Sequence, residues 1–255
     1  MSDAPSHGTG QLRIHLQWAL LLGSALVAAV YLAWSILARV DFLYPQAYDL
    51  LGIDQAIATY GPQNRLRRGF ERTNRAERIG LFAQIVAAVF DDSGDLGQIV
   101  YHDADGAPIG RLLTRPEIVH LEDVARLVHV IDWIGAGAVG LWLTLLVLAR
   151  WQRLPRPSMR RHGLAGGLVL TAVAAGVWLI GPERVFYRMH GWIFPEGHRW
   201  FFYYQESLMT LLMKAPDLFG VIALEIIALA ALCYVGLLLV TGRVVRSVRR
   251  RASRP

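Results

Sequence analysis

The sequence predicts a mainly α, polytopic membrane protein. Its expected parts are four transmembrane helices, a small extracytoplasmic domain of helices plus one β-hairpin, and an interfacial second outer loop. Three observations predict this. Hydrophobic residues make up 54% of the 255 positions and charged residues 18%, where soluble domains approach about a quarter. Four stretches, 16–38, 127–149, 163–182 and 218–242, reach the roughly 20 apolar residues that a helix needs to cross a bilayer core. Finally, residues 150–162 hold five Arg and residues 243–255 hold six, with no acid in either. Basic excess beside a span marks the cytoplasmic side, so both termini are expected there. The net charge of +6 is then a matter of topology and excludes nucleic acid as the natural partner.

Each element has its own justification, and together they are read as one membrane domain covering 1–255. The first span, 16–38, carries no charge and no small-residue cleavage site, so it reads as a retained helix and not a removable signal. The outer segment 39–126 holds thirteen of the twenty acids. Within it, Ile79, Phe82, Val86 and Val89 recur at helical spacing. Two short apolar runs flank Asp105-Gly106, a common hairpin turn. Thr114-Arg-Pro-Glu117 has the form of a capping box, which starts a helix near Arg115 that continues into the second span, 127–149. The basic loop 150–162 leads to the third span, 163–182. Gly135, Gly137, Gly166 and Gly167 suit close helix packing in lipid. The second outer loop, 183–217, crowds Trp192, Phe194, Trp200, Phe201, Phe202, Tyr203 and Tyr204, rings that favour the membrane interface. From Ser207 a short interfacial helix is expected to turn into the last span, 218–242. The tail 243–255 is basic. Cys233, the single cysteine, excludes an intramolecular disulfide and reads as a small apolar residue.

The helix entering the second span is unusually polar at its threshold, with His120, Glu122, Asp123, His129 and Asp132. Ionisable groups are costly near hydrocarbon and face a bundle interior, a wet cavity or a site. Counting back from Ala149 at 1.5 Å per residue reaches His129 after about 30 Å, the hydrocarbon thickness. His120 and Asp123 then fall roughly 10 Å further out, at the depth of lipid glycerol and phosphate.

Two patterns carry a resemblance. Glu117-Ile-Val-His120-Leu-Glu-Asp123-Val124 is similar to an E-x-x-H-M-x-D-V element. His190-Gly-Trp-Ile-Phe194, then Trp200-Phe201, then Leu208 to Phe219 with Pro216, is similar to F-H-x-x-F-F…W-x-F…L-I…P-x-x-F. Together they resemble the lipoprotein intramolecular transacylase family (Lit) of four-span bacterial membrane proteins. Leu121, Ala125 and Met189 depart from its usual Met, Lys and Phe, which marks a distant member. The resemblance implies an acyltransferase that moves an acyl chain from the glyceryl ester of a lipoprotein to the α-amine of its N-terminal cysteine, with no cofactor. Its implied partners are membrane lipids and diacylglyceryl lipoproteins; its implied location is the bacterial inner membrane, with the catalytic loops extracytoplasmic.

Histidine exchanges protons near neutrality and suits such a transfer. The resemblance implies His120 as principal base and His190 as its assistant or oxyanion donor. Asp123, three residues beyond His120 on the same helix face, either orients that ring or pairs with a local Arg. Substrate contacts are expected from Glu117, Trp200, Asp132 and Glu225, with two alternatives open: Glu117 as the capping-box acid, Asp132 and Glu225 as polar pairs across spans. His129 and His198 match no motif and read as interface neighbours. No metal is expected, because His120, Asp123 and His190 lack the H-E-x-x-H spacing, although they are the set a metal-dependent lipid hydrolase would use. The competing class is a non-enzymatic assembly protein whose outer domain binds a partner.

Overall fold

The computed structural model describes residues 6–90, 94–155 and 158–252. Residues 156–157 of the basic loop and 253–255 of the basic tail lie outside the described residues. The elements are α1 (Ser6–Ala38), α2 (Tyr44–Leu50), α3 (Ile53–Tyr60), α4 (Arg75–Phe90), β1 (Val100–His102), β2 (Pro108–Arg111), α5 (Arg115–Trp151), α6 (Met159–Ile180), α7 (Pro182–Ile193), α8 (Leu208–Leu212) and α9 (Asp217–Ala252). Helices α1, α5, α6 and α9 are long and apolar enough to cross a membrane, so the protein is a multi-pass membrane protein. Helix α5 has 37 residues, about 55 Å at 1.5 Å each. That exceeds a bilayer core, and its apolar part begins at Leu127.

The chain divides into two compact units. Unit 1 comprises residues up to 35, 131–175 and from 226 onward, which is four helix segments and little else. Its core is Trp18, Leu21, Leu22, Ala25 and Ala29 of α1 with Trp142, Leu146, Tyr234 and Leu238. Much of what faces outward is also apolar, including Trp133, Val147, Leu168 and Leu232, as lipid and not water requires. Close packing falls on one glycine of each expected pair. A Cβ at Gly135 would meet the Tyr31 ring at 2.1 Å and one at Gly166 would meet Tyr234 at 2.0 Å, while Gly137 and Gly167 face open space.

Unit 2 comprises residues 36–130 and 176–225, so the two outer segments expected from the sequence fold together. The β-hairpin turns at Gly106, whose φ of +83° suits a residue without Cβ. Tyr44 of α2 stacks on Phe82 of α4 at 3.9 Å and donates its hydroxyl to the Leu212 carbonyl at 2.6 Å. Burial raises the Tyr44 phenol well above its ordinary pKa, which suits a permanent donor. Arg78 is 4% exposed yet fully partnered, by Tyr48 at 2.9 Å, by both Thr73 oxygens and by Asp54.

Two local expectations change. The segment after Ser207 is not an interfacial helix: Leu208 to Leu212 are all buried, because this short helix packs into unit 2 beside α3. The second outer loop also contains a helix that the sequence reading did not propose, the amphipathic α7 (Pro182–Ile193).

Candidate functional site

Helix α5 begins with the expected capping box. Glu117 Oε2 accepts from the Thr114 amide and hydroxyl. The capping box thereby satisfies donors left unpaired at a helix start. Its other oxygen accepts from Ser207 Oγ, and Ser207 in turn caps α8 by accepting from the Thr210 amide at 2.9 Å. Glu117 is 0% exposed. Both its oxygens accept from the chain itself, so it holds the start of α5 and the start of α8 together.

One turn further, His120 faces inward and is 7% exposed. Helix α7 brings His190, 8% exposed, to a ring-centroid distance of 6.0 Å from it. Aromatic rings enclose the pair. Phe194 lies 4.7 Å from His120 and 5.1 Å from His190; Phe186 and Trp200 lie 3.9 and 5.2 Å from His190; Phe202 lies 6.1 Å from His120. His190 Nδ1 donates to the Phe186 carbonyl at 2.8 Å. A carbonyl only accepts, so the neutral ring carries its proton on Nδ1 and presents Nε2 as a free lone pair. His120 Nδ1 is buried with no hydrogen-bond partner among the described residues. His120 precedes the apolar part of α5. There, burial and the neighbouring His190 push its imidazole down to about 4 from an ordinary 6.5, against a smaller opposite pull from Asp123. Burial likewise lowers His190, partly offset by its bond to Phe186. The pair is thus two neutral imidazoles in an apolar cage.

Asp123 does not bond His120. One oxygen accepts from His198 Nδ1 at 2.6 Å and the other from Arg126, one turn along α5. Both readings of this residue therefore meet, with the histidine exchanged: it holds a local Arg and orients His198. Sequence reasoning missed His198, which lies in no motif. A weak signal was there, because a buried helical carboxylate one turn from a histidine needs donors, and the second loop supplies His198 and Arg199 near its Trp200. Arg199 instead pairs with Glu206 and lies 4.9 Å over Phe202. Among the described residues His120, Asp123 and His190 do not converge as three metal ligands.

The two remaining residues stand elsewhere. Asp132 belongs to unit 1, half-buried, with no hydrogen bond or ion pair among the described residues. Glu225 belongs to unit 2 and has a buried Oε2 without a hydrogen-bond partner among the described residues. The polar threshold of α5 is one-sided: His120 and Asp123 face inward, Glu122 and His129 outward.

No family model and no curated protein matches the sequence. Solved structures do match. The chain shares its fold with the membrane integral lipoprotein intramolecular transacylase Lit from Bacillus cereus, at 13% identity and a TM-score of 0.63, covering 95% of this chain and 98% of that one. A histidine-to-arginine variant of the same protein matches at 13% identity and TM-score 0.64, over 96% and 97% of the two chains. A histidine-to-alanine variant matches at 12% and 0.64, over 97% and 99%.

Proposed function

We propose that the protein is a membrane-embedded acyltransferase of the bacterial inner membrane. It moves one acyl chain from the glyceryl ester of a lipoprotein to the α-amine of its N-terminal cysteine, giving a lyso-form lipoprotein. The observation that carries the reading is the meeting of His120 and His190 at 6.0 Å, caged by aromatic rings in a fold shared with a lipoprotein transacylase.

The chemistry needs little else. The amine lone pair attacks the ester carbonyl carbon; the N–C bond forms as the C–O bond to glyceryl breaks, and one proton passes from nitrogen to the departing oxygen. A neutral imidazole takes that proton and returns it. The locked tautomer of His190 supports it as the base, with Nε2 aimed outward from its bond to Phe186. His120, pushed to about 4, is too weak a base for the first step and stays neutral, a donor for the developing oxyanion. This reverses the order of roles expected from the sequence. Trp200 and Phe194 keep water from the amide-forming centre. The Arg-rich loop and tail support a cytoplasmic location for those segments, and with it an extracytoplasmic site.

The test is expression in a host that makes only diacylated lipoproteins, followed by mass spectrometry of their N-termini. N-acylated, lyso-form termini are expected with the native chain and not with His190→Ala. Diacyl termini from the native chain, well expressed in the membrane, would return the protein to the assembly class.

A further inference from the structure

Unit 1 contains a feature that acyl transfer in unit 2 does not use. A groove of about 540 Å³ is lined by α1, the start of α6 and Tyr234 of α9. That volume lies within the roughly 300–1,000 Å³ of small-ligand sites. Its length is apolar, through Leu22, Leu26 and Val169, while one end carries His15, Arg161 and His162. The His162 ring is fixed there by donating Nδ1–H to the Ser158 carbonyl at 2.7 Å. Trp18, which lines the groove and is 5% exposed, keeps a buried indole N–H with no acceptor among the described residues. A buried donor left unpaired costs free energy that an added acceptor would recover.

We propose that this groove is a binding site for one anionic glycerophospholipid. Its phosphate meets Arg161 and His15, a phosphate or ester oxygen accepts from Trp18, and an acyl chain lies along the apolar length. The charge at one end selects the headgroup: helix-flanking cations attract anionic lipid, and basic pockets between spans hold acidic headgroups. A zwitterionic lipid would fill the same apolar length but leave the cationic end unmatched, and free phosphate would meet that end but leave the apolar length empty.

The experiment is native mass spectrometry of the full chain in detergent, titrated with phosphatidylglycerol, phosphatidylcholine of the same acyl chains, or inorganic phosphate. Phosphatidylglycerol is expected to be retained at least about fivefold better than phosphatidylcholine, the factor one basic contact provides. Phosphate alone should not be retained. The double variant His15→Ala/Arg161→Ala should lose the preference and keep the phosphatidylcholine level. Gly23→Leu acts without touching charge: Gly23 lines the groove and its Cβ would meet nothing within 4 Å, so the leucine fills the space and should lower retention of both lipids. Helicity by circular dichroism should match the native chain in both variants. Equal retention of the two lipids by the native chain, an unchanged preference in the double variant, or retention of phosphate alone would each overturn the proposal.

Discussion

The two units bury polar groups in opposite ways. In unit 1 the buried hydroxyls of Ser24 and Thr241 each donate to a carbonyl of their own helix, at Leu21 and Leu237. Among the described residues, unit 2 hides five Arg, Glu, Asp and His side chains: Arg78, Glu117, Asp123, His120 and His190. Burying a charge is tolerated only where partners replace water, and three of the five follow that rule: Arg78, Glu117 and Asp123 each have several bonds within the chain. The two histidines do not follow it. They solve the problem by staying neutral, and that leaves them able to accept and return a proton. On the proposed function, the difference between the units separates what holds the protein in lipid from what carries the acyl transfer.

The strongest way to break this comparison is at the pair. His190→Ala and His120→Ala are each expected to lower acyl transfer by about 10²–10⁴-fold, the range for a lost acid–base group. The double variant should be little worse than the weaker single one, because groups that act as a unit are not additive. Mass-spectrometric rates that fall independently and multiply would mean the rings do not share one proton. The pH response follows from the same neutrality. Both rings have folded pKa values below the unfolded 6.5, His120 at about 4. Between these values the unfolded chain binds more protons, so stability is present above pH 6.5 and is lost as pH falls toward 4. Transfer should decline as pH falls from 8, first because the substrate α-amine, ordinarily titrating near 8, takes up a proton and then as the two rings do, and thermal melting should show its own window shrinking when His120→Phe removes the titration.

Glu117 sets the next scale. Glu117→Ala removes the cap of α5 and strands the Thr114 amide, while Ser207 keeps its bonds to Thr210, so about 1–3 kcal/mol is expected for the one group left unpaired. A fall in melting temperature with transfer lost in proportion to folded protein is expected, and Glu117→Gln should recover part of it. In unit 1 the matching test is steric. Gly135→Ala places a methyl 2.1 Å from Tyr31, and such overpacking costs about 1–3 kcal/mol, whereas Gly137→Ala meets nothing. Thermal melts should separate the two variants while the transfer rate per folded molecule stays equal.

What could be read ahead of the coordinates follows from range. The presence of four spans, the Asp105-Gly106 turn and the start of α5 at Arg115 rest on local spacing and local caps, and the chain folds that way. The nearness of His120 and His190 was legible only through paired motifs, since no periodicity links positions 70 residues apart. Two things stayed hidden because they depend on which side chain arrives across unit 2. Asp123 had a plausible partner one turn away in His120, but His198 reaches it from the second loop. A short interfacial helix is what the sequence suggests from Ser207, yet Ser207 bonds Glu117 inside unit 2, and α8 is buried with it.

The smallest expected effect concerns that Asp123–His198 contact. The His198 side chain is 39% exposed while that of Asp123 is 4% exposed, so the pair is buried on one side only. Solvent reaches the imidazole and weakens the attraction, and half-exposed ion pairs contribute about 0–1 kcal/mol. His198→Ala should therefore shift the melting temperature little, because Asp123 keeps Arg126 on its other oxygen. Asp123→Ala differs: it releases His198 and Arg126 together and empties a position beside the histidine pair. It should lower transfer several-fold more than His198→Ala does. The opposite ranking, with His198→Ala as damaging to transfer as His190→Ala but without a change in melting, would move the proton-handling centre from the neutral pair to the Asp123–His198 dyad. In that case the sharp line between partnered and neutral groups in unit 2 would have to be redrawn around the carboxylate.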